Sequence, residues 1–261
     1  MTRIRLALLP LLALMSWAAP APATAQETTF ELPYLSTLTD EQRDALHNEI
    51  RTYILQNPEI VMEAIGILQQ RRQEAERFAE VNLVKRHRDA LFFSPHDWVG
   101  GNPDGSITLV EFSDYRCPYC KRAHPVVKEF LERAPDVRLV IKEYPILGPD
   151  SVTAGRMAMA AVDVNRELYP ALNDALMAYR GNLTETAAYR IAGDVGYDIG
   201  ELRAKANSEE IEARLQETYA LAQALNVTGT PGFVLENQVM RGFLPLEDML
   251  ARLEEARAAA N

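Results

Sequence analysis

The 261-residue sequence contains only two cysteines, Cys117 and Cys120, three positions apart. That excludes a structural disulfide framework, because a bridge across two intervening residues constrains almost none of the unfolded chain. Histidine is scarce too. His47, His87, His96 and His124 show no ligand spacing and there is no second cysteine pair, so a tetrahedral metal site lacks its ligands. Basic residues number 27 against 37 acidic ones, for a net charge of −10, which gives the chain no electrostatic reason to seek nucleic acid or anionic lipid. After the first residues, no apolar run is long enough to cross a bilayer.

The beginning of the chain reads as an export signal. Arg3 and Arg5 precede an apolar run from Leu6 to Ala18, and Ala23-Thr24-Ala25 supplies the small residues a signal peptidase requires. Residues 1–25 are therefore expected to be removed, shifting the net charge from −10 to −12 and delivering the protein to the periplasm. In that compartment disulfides form and persist, so two closely spaced cysteines read as a reactive pair.

Residues 26–37 read as a flexible leader, and residues 38–90 as a helical module. Thr39 and Gln42 offer a capping box, and Ala45, Leu46, Ile50, Tyr53 and Ile54 recur at helical spacing, predicting a helix over about 40–56. Asn57-Pro58-Glu59 supplies a cap, a first-turn proline and an acid to start a second helix, whose charged stretch Arg71 to Arg77 reads as a solvated spacer. The apolar residues Ile50, Ile54, Ile60, Val61, Ile65 and Leu68 exceed what two short helices can bury between themselves, so association between chains is expected through this module.

Residues 91–261 are expected to form an α/β domain. Ile107 to Phe112 and Val137 to Glu143 read as strands flanking a helix from Pro118 to Arg133, a β-α-β unit with parallel strands. An all-helical insertion fills about 150–225, short strands return at Phe233 to Leu235 and Val239 to Arg241, and a helix from Pro245 to Ala258 closes the chain. The cysteines thus fall at the carboxyl end of a strand, where open α/β sheets place their chemistry.

Disulfide exchange needs an attacking thiolate and a second thiol to resolve the mixed intermediate. At a helix N-terminus, Cys117 meets unpaired N–H groups that favour the thiolate, and Cys120, one turn further in, is placed to resolve. Pro118 suits the first helical turn. Glu111, in a strand expected to be covered on both faces, needs either solvent at the strand tip or a task.

The run from Val110 to Lys121 around Cys117-Pro118-Tyr119-Cys120 resembles the active-site segment of DsbA-like proteins in the thioredoxin superfamily. Pro125 resembles the proline that kinks the active-site helix, and Gly229-Thr230-Pro231-Gly232 is similar to the family's cis-proline loop. Residues 50–68 look like the helical extension of the Com1/ScsC-type group, in which such extensions join protomers.

The resemblance implies a thioredoxin-like fold and a thiol-disulfide oxidoreductase working without a cofactor on cysteine-containing exported proteins, with a membrane redox partner resetting the pair. It implies that Pro231 is cis, that Thr230 lies against the cysteines and pairs with substrate, and that Glu111 assists proton transfer at Cys120. Lys142 is then a candidate charge partner for Glu111. Tyr119 replaces the histidine of the strongly oxidising members of the family, and Thr230 before the proline is more like the isomerases. Disulfide isomerase or reductase is therefore the favoured expectation, dithiol oxidase the alternative, and a copper-binding or chaperone role a second alternative, since thiolates suit Cu(I).

Overall fold

The computed structural model describes residues 37–260; the expected signal peptide and the leader up to residue 36 lie outside the described residues. The chain divides into two compact units, one ending at Ile65 and the other starting at Gly66. The first holds α1 (Asp40–Gln56) and the beginning of α2 (Glu59–Arg86). Thr39 and Gln42 form the capping box of α1, and no residue of that helix is buried. Asn57 closes the preceding helix, its side-chain amide donating to the Tyr53 carbonyl at 2.8 Å, while its own carbonyl accepts from the Ile60 N–H at 3.2 Å in the first turn of the next.

The boundary between the two units lies inside α2. Two side chains show why. Glu80 accepts a hydrogen bond from the Val239 N–H at 3.0 Å, and Val84 is buried in a cluster with Leu91, Phe92, Val110 and Phe112. The exposed charges of residues 71–77 therefore sit within a continuous helix.

The second unit continues with α3 (Arg88–Phe92), β1 (Trp98–Gly101), β2 (Ile107–Ser113), α4 (Pro118–Arg133) and β3 (Val137–Glu143). Five helices follow: α5 (Pro149–Val164), α6 (Tyr169–Ala178), α7 (Glu185–Val195), α8 (Ile199–Ala206) and α9 (Glu209–Ala224). The chain then returns to the sheet as β4 (Gly232–Leu235) and β5 (Gln238–Arg241), and ends in α10 (Leu246–Ala260). The insertion starts its later helices with side-chain caps: Thr184, Asp198 and Ser208 each accept from a backbone N–H three residues on.

The sheet order is β1-β3-β2-β4-β5, with β2 and β3 parallel and the other pairs antiparallel. Strand β1 has two glycines and no apolar alternation, so it carries no strand signal of its own; its pairing with β3 makes it one. Gly101 is at φ +63°, and a Cβ there would lie 2.7 Å from the Val137 carbonyl, so glycine is required at this close approach.

Every residue of β2 is buried, as expected for a central strand covered on both faces. Side chains alternate between the faces. Leu109, Leu139 and Ile141 face α4 and the insertion, while Val110, Phe112 and Val140 face Val84, Leu91 and Leu225 on the opposite side.

Candidate functional site

Cys117 is the N-cap of α4, in extended conformation at φ −73° and ψ 119°, with Pro118 opening the helix. Both cysteines are free thiols; Cys117 is 5% exposed and Cys120 fully buried. The Thr230–Pro231 peptide bond is cis, and the Thr230 carbonyl oxygen lies 3.1 Å from Cys117 Sγ, which donates to it when protonated. The Thr230 hydroxyl is buried beside Cys117. Tyr119, between the cysteines, is 59% exposed and stands at the surface of the site.

The two thiols are driven apart in acidity. Cys117 is lowered to about 5, first by the hydrogen bond from the Cys120 thiol and then by Thr230 and the N–H groups of Cys120 and Tyr119, against the opposing effect of burial. Cys120 is pushed upward by the same hydrogen bond to Cys117, by burial and by the Glu111 charge. One proton on Cys120 thus serves two sulfurs, holding Cys117 as thiolate. The reduced protein should react with iodoacetamide at Cys117 with a midpoint near pH 5, and Cys120 should stay unmodified at neutral pH; peptide mapping after alkylation across pH reads both. Because the folded value is depressed, the thiolate's contribution to the stability of the reduced form is present in alkaline solution and lost as pH falls through about 5.

Glu111 does not stand at a strand tip. It lies inside β2, 3% exposed, opposite Ile141 of β3 and Phe233 of β4. Burial raises its carboxyl to about 7, opposed by the Ser113 hydroxyl two residues on along the same face. That value suits a group that takes and returns a proton near neutral pH.

Lys142 is not the charge partner of Glu111. In the parallel register it is opposite Phe112, one position out of phase, so its side chain leaves the sheet on the other face. There its ammonium bonds the Asp97 carboxylate and the Ala90 carbonyl. It is 4% exposed and joins the segment before β1 to the sheet, with no part in the thiol site.

Polar residues that sequence reasoning passed over complete the thiol side of the sheet. Asp114 accepts four hydrogen bonds, from the N–H groups of Arg116, Ile146 and Leu147 and from the Ser151 hydroxyl, at 2.8–3.1 Å. It thereby ties the turn before Cys117 to the segment after β3. Glu143 is buried and accepts from Tyr115 at 2.7 Å and Tyr169 at 2.6 Å. Polar residues inside otherwise apolar strands were the available signal; which face each took depended on register.

The DsbA-like thioredoxin domain model matches residues 108–254, and the copper resistance protein ScsC N-terminal domain model matches residues 42–75. A thioredoxin-like oxidoreductase from Silicibacter pomeroyi is 42% identical, with a TM-score of 0.63 over 66% of this chain and 98% of that one. Proteus mirabilis ScsC in a transitional conformation is 25% identical, with a TM-score of 0.63 over 86% of this chain and 99% of that one. Among curated proteins, the Na(+)/H(+) antiporter NhaA 3 of Salinispora tropica is 28% identical over 166 residues, 63% of this chain and 25% of the antiporter. The chain thus spans about a quarter of the length of the first curated relatives it matches. A family match over more than half the residues, together with the thioredoxin-like sheet and the helical insertion, shows that the chain belongs to the DsbA-like thioredoxin domain family.

Proposed function

We propose that this chain is an exported thiol-disulfide oxidoreductase acting on protein cysteines, with Cys117 attacking, Cys120 resolving and Glu111 carrying the proton of the resolving step. The observation that carries this reading is the placement of Cys117 as the N-cap of α4, 3.1 Å from the Thr230 carbonyl, with Cys120 buried one turn further in. The juxtaposition of Cys117 and the cis Thr230–Pro231 bond would suit an extended client segment, whose backbone would pair beside Thr230. No organic cofactor is needed, since the electrons pass between sulfurs; a membrane redox partner in the exported compartment would reset the pair.

Isomerase or reductase work is the favoured direction, supported by the N-terminal helices. Ile50, Ile54, Ile60, Val61, Ile65 and Leu68 are all exposed, an apolar surface that an isolated chain would leave in water. Joining protomers through residues 38–90 would cover it and hold several Cys117 sites around one misfolded client, raising their effective concentration. Dithiol oxidase is the second reading, favoured by the low value of Cys117, because a stabilised thiolate is a good leaving group from the disulfide form.

Full-length mature protein is expected to sediment as an oligomer and to reactivate scrambled ribonuclease. A form beginning at Gly66 is expected to be monomeric, to keep insulin reduction and to lose most of the reactivation. A monomeric full-length protein, or equal reactivation by both forms, would move the assignment to oxidase.

A further inference from the structure

We propose that Glu143 is a second proton-holding group of the thiol site, sharing one proton with Glu111 by way of the Ser113 hydroxyl. The placement follows from the register. Ser113 is directly opposite Glu143 on the parallel β2–β3 pair, and Glu111 precedes Ser113 by two residues, so all three side chains project from one face. This is the face that carries Cys117 and Cys120.

Ser113 Oγ is buried beside the Glu111 carboxyl, which it helps to hold ionised, but it makes no hydrogen bond of settled geometry, an arrangement that is costly unless an intermittent one forms. A hydroxyl both donates and accepts, so this one can take a proton from one carboxyl and give its own to the other without net change. Glu143 is built to receive it. The Tyr115 and Tyr169 hydroxyls both donate to its Oε1, which leaves Oε2 to carry the proton. Tyr169 is fixed in turn: it stacks on Trp98 at 5.3 Å between ring centroids, and the Trp98 indole lies over Gly100, where a Cβ would meet it at 1.9 Å.

The titratable groups facing Glu143 are Glu111 from β2, Asp114 and Tyr115 from the turn before α4, and Tyr169 from α6. Burial and the charges of Asp114 and Glu111 raise the Glu143 carboxyl to about 8, against the two tyrosyl hydrogen bonds. Two carboxyls so close in a dry site titrate as a pair. The higher value of Glu143 places the shared proton there more often than on Glu111, and whenever it rests there Glu111 is free to take the proton of Cys120. When the Cys120 sulfur attacks the mixed disulfide, its proton passes to Glu111, the Cys117–Cys120 bond forms, and the client sulfur departs with the electron pair of the broken bond. Reduction of the pair reverses each transfer.

The use made of the proton rests on the thiol-exchange reading; the sharing itself does not, and the test separates them. Carboxyl carbons of selectively labelled glutamate are followed by NMR across pH in the reduced wild-type protein, in Glu143→Gln and in Glu111→Gln. Wild-type Glu111 should titrate in two steps, and in Glu143→Gln in one. Reciprocally, Glu111→Gln should shift the Glu143 midpoint downward. The rate of release of a mixed disulfide should follow the same change from two inflections to one in Glu143→Gln. Should either variant fail to fold, the other alone decides the coupling. Single-step titrations unaffected by the partner's replacement would overturn the proposal. Coupled carboxyls in a protein that does not reduce insulin would instead overturn the thiol-exchange reading.

Discussion

Cys117→Ser is expected to abolish disulfide exchange, and Cys120→Ser to preserve attack while trapping clients as mixed disulfides. Serine cannot supply the anion at neutral pH, whereas Cys117 at about 5 is almost wholly ionised there. The gain over an ordinary thiol needs weighing. At pH 7 a thiol near 8.5 is about 3% thiolate, so lowering it to 5 raises the reactive fraction about thirtyfold. Intrinsic nucleophilicity falls over the same interval by about fiftyfold, with a Brønsted coefficient of about 0.5. The two effects nearly cancel for attack, so the depressed value acts mainly when Cys117 departs. Cys120, fully buried and raised, should therefore limit resolution through the loss of its proton. Non-reducing electrophoresis and mass spectrometry read both variants. Mixed disulfides accumulating through Cys120 in Cys117→Ser would reverse the assigned roles.

Asp97→Ala is expected to destabilise the second unit by about 3–5 kcal/mol, because it leaves the Lys142 ammonium buried without its counter-charge. Replacing both residues, as Asp97→Leu with Lys142→Met, should recover much of that loss, since a buried pair can often be exchanged for apolar packing at little cost. Neither change should move the pH profile of Cys117 alkylation, because Lys142 and Asp97 lie on the face of the sheet away from the thiols. Urea unfolding at fixed pH measures the stability term and iodoacetamide kinetics the thiol term. A shift of the Cys117 midpoint in the double variant would return Lys142 to the site.

Several features of this protein were legible in one dimension because their cause is local. The cap of α1 is a three-residue relation between Thr39 and Gln42, and α4 starts where Pro118 fits the first turn. The cysteine pair needs only its spacing and a helix N-terminus, and the apolar runs of β2 and β3 follow from burial on both faces. These properties depend on residues within a few positions of one another, so composition and period suffice to read them.

Register, pairing and burial of polar groups were decided by the tertiary structure. Lys142 and Glu143 are adjacent in the chain, yet one reaches Asp97 on one face and the other Tyr115 and Tyr169 on the opposite face. A shift of one residue in the β2–β3 pairing would exchange them, and nothing within either strand sets that shift. Strand β1 likewise exists through β3, since Trp98-Val99-Gly100-Gly101 has no strand pattern of its own. The second unit takes in the later part of α2 because Glu80 bonds Val239, far along the chain, and Val84 is buried against one face of the sheet. The sequence by itself determined the spacing of Cys117 and Cys120 and the helix start they occupy, which are local; only the fold brought Thr230 to Cys117 and decided which carboxylates share their face, because those choices are made between segments distant in the chain.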